Sequence, residues 1–137
     1  MPAKIVGFNL IELMITLTII GILSAISLPT YLQHIIHARR LQAETALLTL
    51  ASALEKYYSI HQTYDGATLA NLKISELIAN NQYQLHISDT TTTDFSIKAT
   101  PLGNQAEKDS QCGTLVINAD GTQKITGTGS ILECWPT

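Results

Sequence analysis

Hydrophobic and polar positions change their rhythm three times along the chain. From Phe8 to Tyr31 nearly every residue is apolar or small, and Glu12 is the only formal charge in those 24 residues. At roughly 1.5 Å per residue, a helix of that length crosses a hydrocarbon core. Beyond it the apolar residues thin out and recur at Ala43, Leu47, Leu50, Leu54 and Tyr57. Steps of three and four define one face of a helix, with Arg39, Arg40, Gln42, Glu44, Glu55 and Lys56 mostly off it. Arg40 and Glu44, four apart, are expected to pair weakly. The two patterns join without a break, so one long helix is predicted from about Asn9 to Ser59, with Gly21 and Pro29 inside it. Pro29 lacks an N–H and crowds the Ala25 carbonyl.

After Asp65-Gly66 the period drops to two. Tyr83-Gln84-Leu85-His86-Ile87 and Phe95-Ser96-Ile97-Lys98-Ala99 alternate, a third run covers Gly113–Asn118, and a fourth covers Thr122–Thr126. Asp89–Asp94 reads as a turn, Pro101-Leu102-Gly103-Asn104 as a break, and Asp120-Gly121 as a hairpin. Ser75–Ala79 is expected to form a helical turn or two, with Ser75 as N-cap. The fold class is therefore α+β: a long N-terminal helix on a roughly four-stranded antiparallel sheet.

Composition sharpens the division. The chain has 137 residues, 45% of them hydrophobic, and much of that weight lies in the first 32. The net charge is −3 with scattered Lys and Arg, so no strong electrostatic footprint for nucleic acid stands out. Two cysteines, Cys112 and Cys134, fall near the end. A small domain of this size needs a staple, and one disulfide in an oxidising compartment is expected; two free thiols are the alternative.

The carboxylate of Glu12 is the anomaly. A charged acid in lipid costs roughly 2.5–3.5 kcal/mol on insertion scales, and such residues usually face a partner. Three accounts compete. One is a secretory signal peptide with basic Lys4 and a cut near Ala25-Ile26-Ser27. One is a plain membrane anchor. The third is a cut between Gly7 and Phe8, which creates an α-amine four residues before Glu12. A second copy, shifted along the helix axis, then brings its amine to this carboxylate.

Gly7-Phe8-Asn9-Leu10-Ile11-Glu12-Leu13, after a leader with Lys4 and before about 20 apolar residues, resembles the type IV pilin family. The tail, with Ala99–Ala106, Cys112-Gly113-Thr114-Leu115, Asp120-Gly121-Thr122 and Cys134-Trp135, is similar to the PilE-type minor pilins. The resemblance implies residues 1–7 as a leader removed by a prepilin peptidase, with N-methylation of Phe8. It implies residues 8–32 as the transmembrane or filament-core half of the helix and 33–137 as the globular domain. Glu12 then pairs with a neighbouring subunit's amine, and Gly21 and Pro29 allow the helix to loosen on assembly. Cys112 and Cys134 pin the C-terminal loop to the sheet, and Trp135 covers the bridge, either as simple packing or as a surface contact for a partner. Implied partners are other pilin subunits, the peptidase, the inner-membrane assembly machinery and, before assembly, lipid. The implied location is the inner membrane with a periplasmic domain, then an extracellular pilus used in motility, adhesion or DNA uptake. Charge gives no orientation of its own, since Arg39 and Arg40 follow the apolar run that Lys4 precedes.

Two alternatives belong beside this reading. A DNA-binding competence-type pilin would use the lysines Lys73, Lys98, Lys108 and Lys124. A type II secretion pseudopilin shares the N-terminal motif, but typically carries a calcium loop where this chain has cysteines. No metal site or cofactor is expected. His34 and His37 share a helix face without further ligands, and Glu107, Asp109 and Asp120 fit no calcium-loop spacing. No Ser-His-Asp order, phosphate loop or Cys-x-x-Cys occurs, so the chain is read as a non-enzyme.

Overall fold

The structure, a computed structural model, describes residues 7–135. Lys4 and the rest of the expected leader apart from Gly7 lie outside the described residues. Helix α1 spans Leu10–His61, followed by β1 (Leu77–Ile78), β2 (Tyr83–Thr90), β3 (Phe95–Pro101), α2 (Gly103–Lys108), β4 (Leu115–Asn118), β5 (Gln123–Ile125) and α3 (Ile131–Cys134). The chain divides into two units, residues 1–35 and 36–137.

In the first unit every described residue through His34 is exposed. The helix runs through Gly21 and Pro29 without interruption. Its hydroxyls turn back on the backbone: Thr18 Oγ1 donates to the Met14 carbonyl (2.7 Å), Ser24 Oγ to Ile20 (2.7 Å) and Thr30 Oγ1 to Ile26 (3.2 Å). These hydroxyls are thus satisfied within the helix, which is what a helix in hydrocarbon requires. By length and composition α1 can cross a membrane.

The second unit packs the rest of α1 on an antiparallel sheet of order β1-β2-β3-β4-β5. Leu47, Leu50 and Leu54 are fully buried with Ala43 at the spacing read from the sequence. They share a core with Tyr83, Leu85, Ile97, Ala99, Leu115 and Ile117, the inward alternation of β2, β3 and β4. Each buried leucine contributes about 2–3 kcal/mol. Tyr64 seals the far end, stacked on Tyr58 (centroids 4.6 Å) and edge-on to Phe95 (5.0 Å).

The sheet has five strands rather than about four. Ser75–Ala79 forms no helical turn; Leu77 and Ile78 pair with Gln84 and Tyr83 as β1. Five residues cannot nucleate a helix unaided, whereas the open edge of β2 offers a ladder. Ala79, Asn80 and Asn81 all take positive φ (53°, 56° and 60°) to reverse the chain, and asparagine tolerates that region better than most residues. The Pro101–Asn104 break does end β3, but a six-residue helix, α2, follows at once. Its fully buried Gln105 shows that tertiary contacts, not propensity, maintain it. Asp120-Gly121 makes the expected hairpin, with Gly121 at φ 81° and its N–H on the Asn118 carbonyl (2.9 Å).

Candidate assembly motif and ligand-facing surfaces

The N-terminal motif lies at the start of α1. Phe8 is 80% exposed. Asn9 stands just outside the helix, and its carbonyl accepts from the N–H groups of Glu12 (3.0 Å) and Leu13 (3.3 Å). Glu12 reaches back, and its Oε2 accepts from the Asn9 backbone N–H at 3.2 Å. This is the acid half of a capping box, so in the single subunit Glu12 serves an otherwise orphaned donor. A cation, such as an α-amine, can still approach the exposed carboxylate.

The four lysines named from the sequence are not brought together as a set. Lys73 follows α1 in a turn with φ 57°, and Lys108 ends α2. Lys98 and Lys124 do share a surface. The register pairs His86 with Lys98, Lys98 with Val116, and Val116 with Lys124. One row therefore runs across β2, β3, β4 and β5 on the face opposite the core. Adjacent strands are roughly 4.8 Å apart, so the two lysines stand about 10 Å apart. Polar Ser96 and Asn118 form the neighbouring outward row.

Cys112 and Cys134 are joined, with Cα atoms 5.5 Å apart. On the chain-entropy account a loop of this length contributes roughly 3 kcal/mol. Trp135 is buried and donates from Nε1 to the Lys124 carbonyl at 3.3 Å.

Sequence reasoning missed the buried polar cluster beside this bridge. Arg40 does not pair with Glu44. Its Nη2 and Nε donate to Asp109 Oδ1 (2.7 Å) and Oδ2 (3.0 Å), and its Nη1 donates to the Glu133 carbonyl (3.0 Å). The planar fork matches a carboxylate with two parallel bonds, which one helix turn to Glu44 cannot offer. Asp109 Oδ2 also accepts from the Tyr83 hydroxyl (3.0 Å) and Gln105 Nε2 (3.1 Å). Glu44 is buried nearby, and its Oε1 has no hydrogen-bond partner among the described residues. Burial raises its carboxyl to about 7; Arg40 opposes the rise and Asp109 adds to it. Neither Arg40 nor Glu44 lies off the buried face. The sequence signal was there: Ile36, Arg40, Ala43, Glu44 and Leu47 keep the same three-four spacing as the leucines. Among the described residues, no group of three or more His, Cys, Asp or Glu could hold a metal ion.

Comparison with known proteins bears on both regions. A family model described as type IV minor pilin ComP, DNA uptake sequence receptor, matches residues 29–116. The type IV major pilin protein PilA of Myxococcus xanthus is 40% identical over 58 residues, 42% of this chain and 26% of that protein. A fimbrial protein of Neisseria meningitidis serogroup B is 40% identical over 60 residues, 44% of this chain and 35% of that protein. The alignments thus span about a quarter to a third of the length of these curated relatives. The non-core minor pilin PilV of Neisseria meningitidis superposes with a TM-score of 0.52 at 25% identity, covering 69% of this chain and 92% of PilV. A type IV pilin from Shewanella oneidensis superposes with a TM-score of 0.52 at 26% identity, covering 74% of this chain and 99% of that one.

Proposed function

The chain belongs to the type IV minor pilin family, and from that premise we propose that it is a structural subunit of a type IV pilus, anchored in the inner membrane before assembly and extracellular after it. The observation that carries this reading is the exposed apolar part of α1, headed by the lone acid Glu12. An apolar surface of that length needs lipid or other helices around it. We place the leader at residues 1–7, the membrane or filament-core segment at 8–32 and the globular domain at 33–137. A prepilin peptidase cuts between Gly7 and Phe8, Phe8 is methylated, and Glu12 exchanges its Asn9 bond for the α-amine of a neighbouring subunit. Gly21 and Pro29 mark where the helix loosens in the filament. The subunit works by packing and display, without a reaction of its own.

The test is the intact mass and N-terminal peptide of the protein from its native membrane fraction. The expected chain starts at Phe8 and carries one added methyl. A chain starting at Leu28 sinks the proposal, because Glu12 would be lost with the signal peptide.

A second reading is DNA capture. The family description names a DNA uptake sequence receptor, and Lys98 and Lys124 share one outward row with His86. The remaining lysines stand elsewhere, so the row is the part we assign to phosphate contact. The full chain in detergent should retard duplex DNA at low salt. Reversing Lys98 and Lys124 to Glu should abolish that retardation, and neutralising both to Gln should lower the salt slope by about 2. Equal retardation by both variants and the parent would remove the row from the proposal.

A further inference from the structure

We infer that Arg40 is a second, non-covalent fastener of the C-terminal loop, one that holds both flanks of the Cys112–Cys134 bridge on helix α1 whether or not the bridge is closed. One guanidinium touches both sides of that bridge. Asp109 stands three residues before Cys112, and Glu133 immediately precedes Cys134. The two bonds to the Asp109 carboxylate and the one to the Glu133 carbonyl use different edges of the planar group, so all three form at once.

The acid end is anchored without help from sulfur. Tyr83 from β2 and Gln105 from α2 both donate to the Asp109 carboxylate. The Asp109 carbonyl accepts from the N–H groups of Cys112 (3.1 Å) and Gly113 (2.9 Å), which ties the turn around Cys112 to the same residue. Backbone bonds complete the seam: Gly127 N–H donates to the Cys112 carbonyl (3.1 Å) and Gly129 N–H to the Gln111 carbonyl (2.7 Å). The approach is so close that a Cβ on Gly127 would collide with the Gln111 carbonyl. The Arg40 and Asp109 side chains are only 8% and 3% exposed, so water and salt screen the pair little.

The disulfide joins two segments that both follow α1 in the chain. Arg40 is the group that ties them by a charged contact to the helix itself. What it holds in place is a surface as well as a loop, because Leu132 is 81% exposed and Ile131 47% exposed on α3. The position of that apolar pair is therefore set by a contact made from α1.

The single tryptophan reports the state of the loop, since Trp135 is buried beside Cys134. Acrylamide quenching of its fluorescence is measured on the full chain in detergent micelles, before and after reduction. The parent should stay shielded after reduction. The paired variant Arg40→Met with Asp109→Asn avoids a stranded buried charge. It should be shielded while oxidised and quenched several-fold more strongly once reduced. Arg40→Lys keeps the charge but cannot span both flanks, and should follow the paired variant. A several-fold rise in the reduced parent overturns the inference. So does a reduced Arg40→Lys protein that stays shielded, or a paired variant that exposes Trp135 even when oxidised.

Discussion

The two parts of helix α1 solve the same problem, polar groups in apolar surroundings, by opposite means. Between Leu10 and Leu32 the side chains are exposed, and the hydroxyls of Thr16, Thr18, Ser24 and Thr30 bond to carbonyls three or four residues back. Those four hydroxyls are settled within the segment, without help from the rest of the chain. From Ile36 to Leu54 the helix buries Arg40 and Glu44 among leucines, and Arg40 is served by residues 69 and 93 positions away. A segment that must enter lipid, or exchange it for other helices, carries its solutions with it. A segment that packs on its own sheet can borrow them from elsewhere in the chain.

The sharpest way to break this contrast is Arg40→Ala. It leaves the buried Asp109 carboxylate without its cation and should cost about 3–5 kcal/mol in denaturant unfolding of the domain. A loss below about 1 kcal/mol would mean that Tyr83 and Gln105 suffice for Asp109. Next come matched leucine truncations. Leu50→Ala, at a fully buried site, should cost about 3 kcal/mol. Leu23→Ala, at an exposed site, should leave domain unfolding unchanged to within about 0.5 kcal/mol. Equal effects would erase the distinction between the two regions.

A further effect, smaller than those of Arg40 and Leu50, concerns pH. The Glu44 carboxyl, raised to about 7, binds its proton in the folded state where the unfolded chain has released it. Stability is therefore complete below about pH 4.5 and declines as pH rises through 7. Glu44→Gln should remove that decline and stabilise the protein at pH 8 by about 1–2 kcal/mol, part of the shift being screened by solvent. Identical pH profiles for parent and variant would show that Glu44 is not held neutral by burial.

Much of the fold was legible because it follows from local periods. Leu47, Leu50 and Leu54 announce a helix face. The alternation in Tyr83–Ile87 and Phe95–Ala99 announces strands, and Asp120-Gly121 announces their hairpin. Ser75–Ala79 misled because a short stretch carries too few residues to show a period, and the free edge of β2 decided it. Helix α2 was invisible because six residues with a buried glutamine follow no helical pattern. At the surface, the lysines were legible as residues but not as a set. Only strand register sets Lys98 and Lys124 in one row and leaves Lys73 and Lys108 elsewhere.

Taken alone, the sequence determined the long helix, its lipid-length apolar half, the acid at its head and the alternating strands. Side-chain direction repeats every 3.6 residues in a helix and every two in a strand, so those features are written in neighbouring positions. Tertiary structure decided the fifth strand and the pairing of Arg40 with Asp109 rather than Glu44. The choice of a charge's partner depends on distances across the folded chain, and no local spacing encodes them.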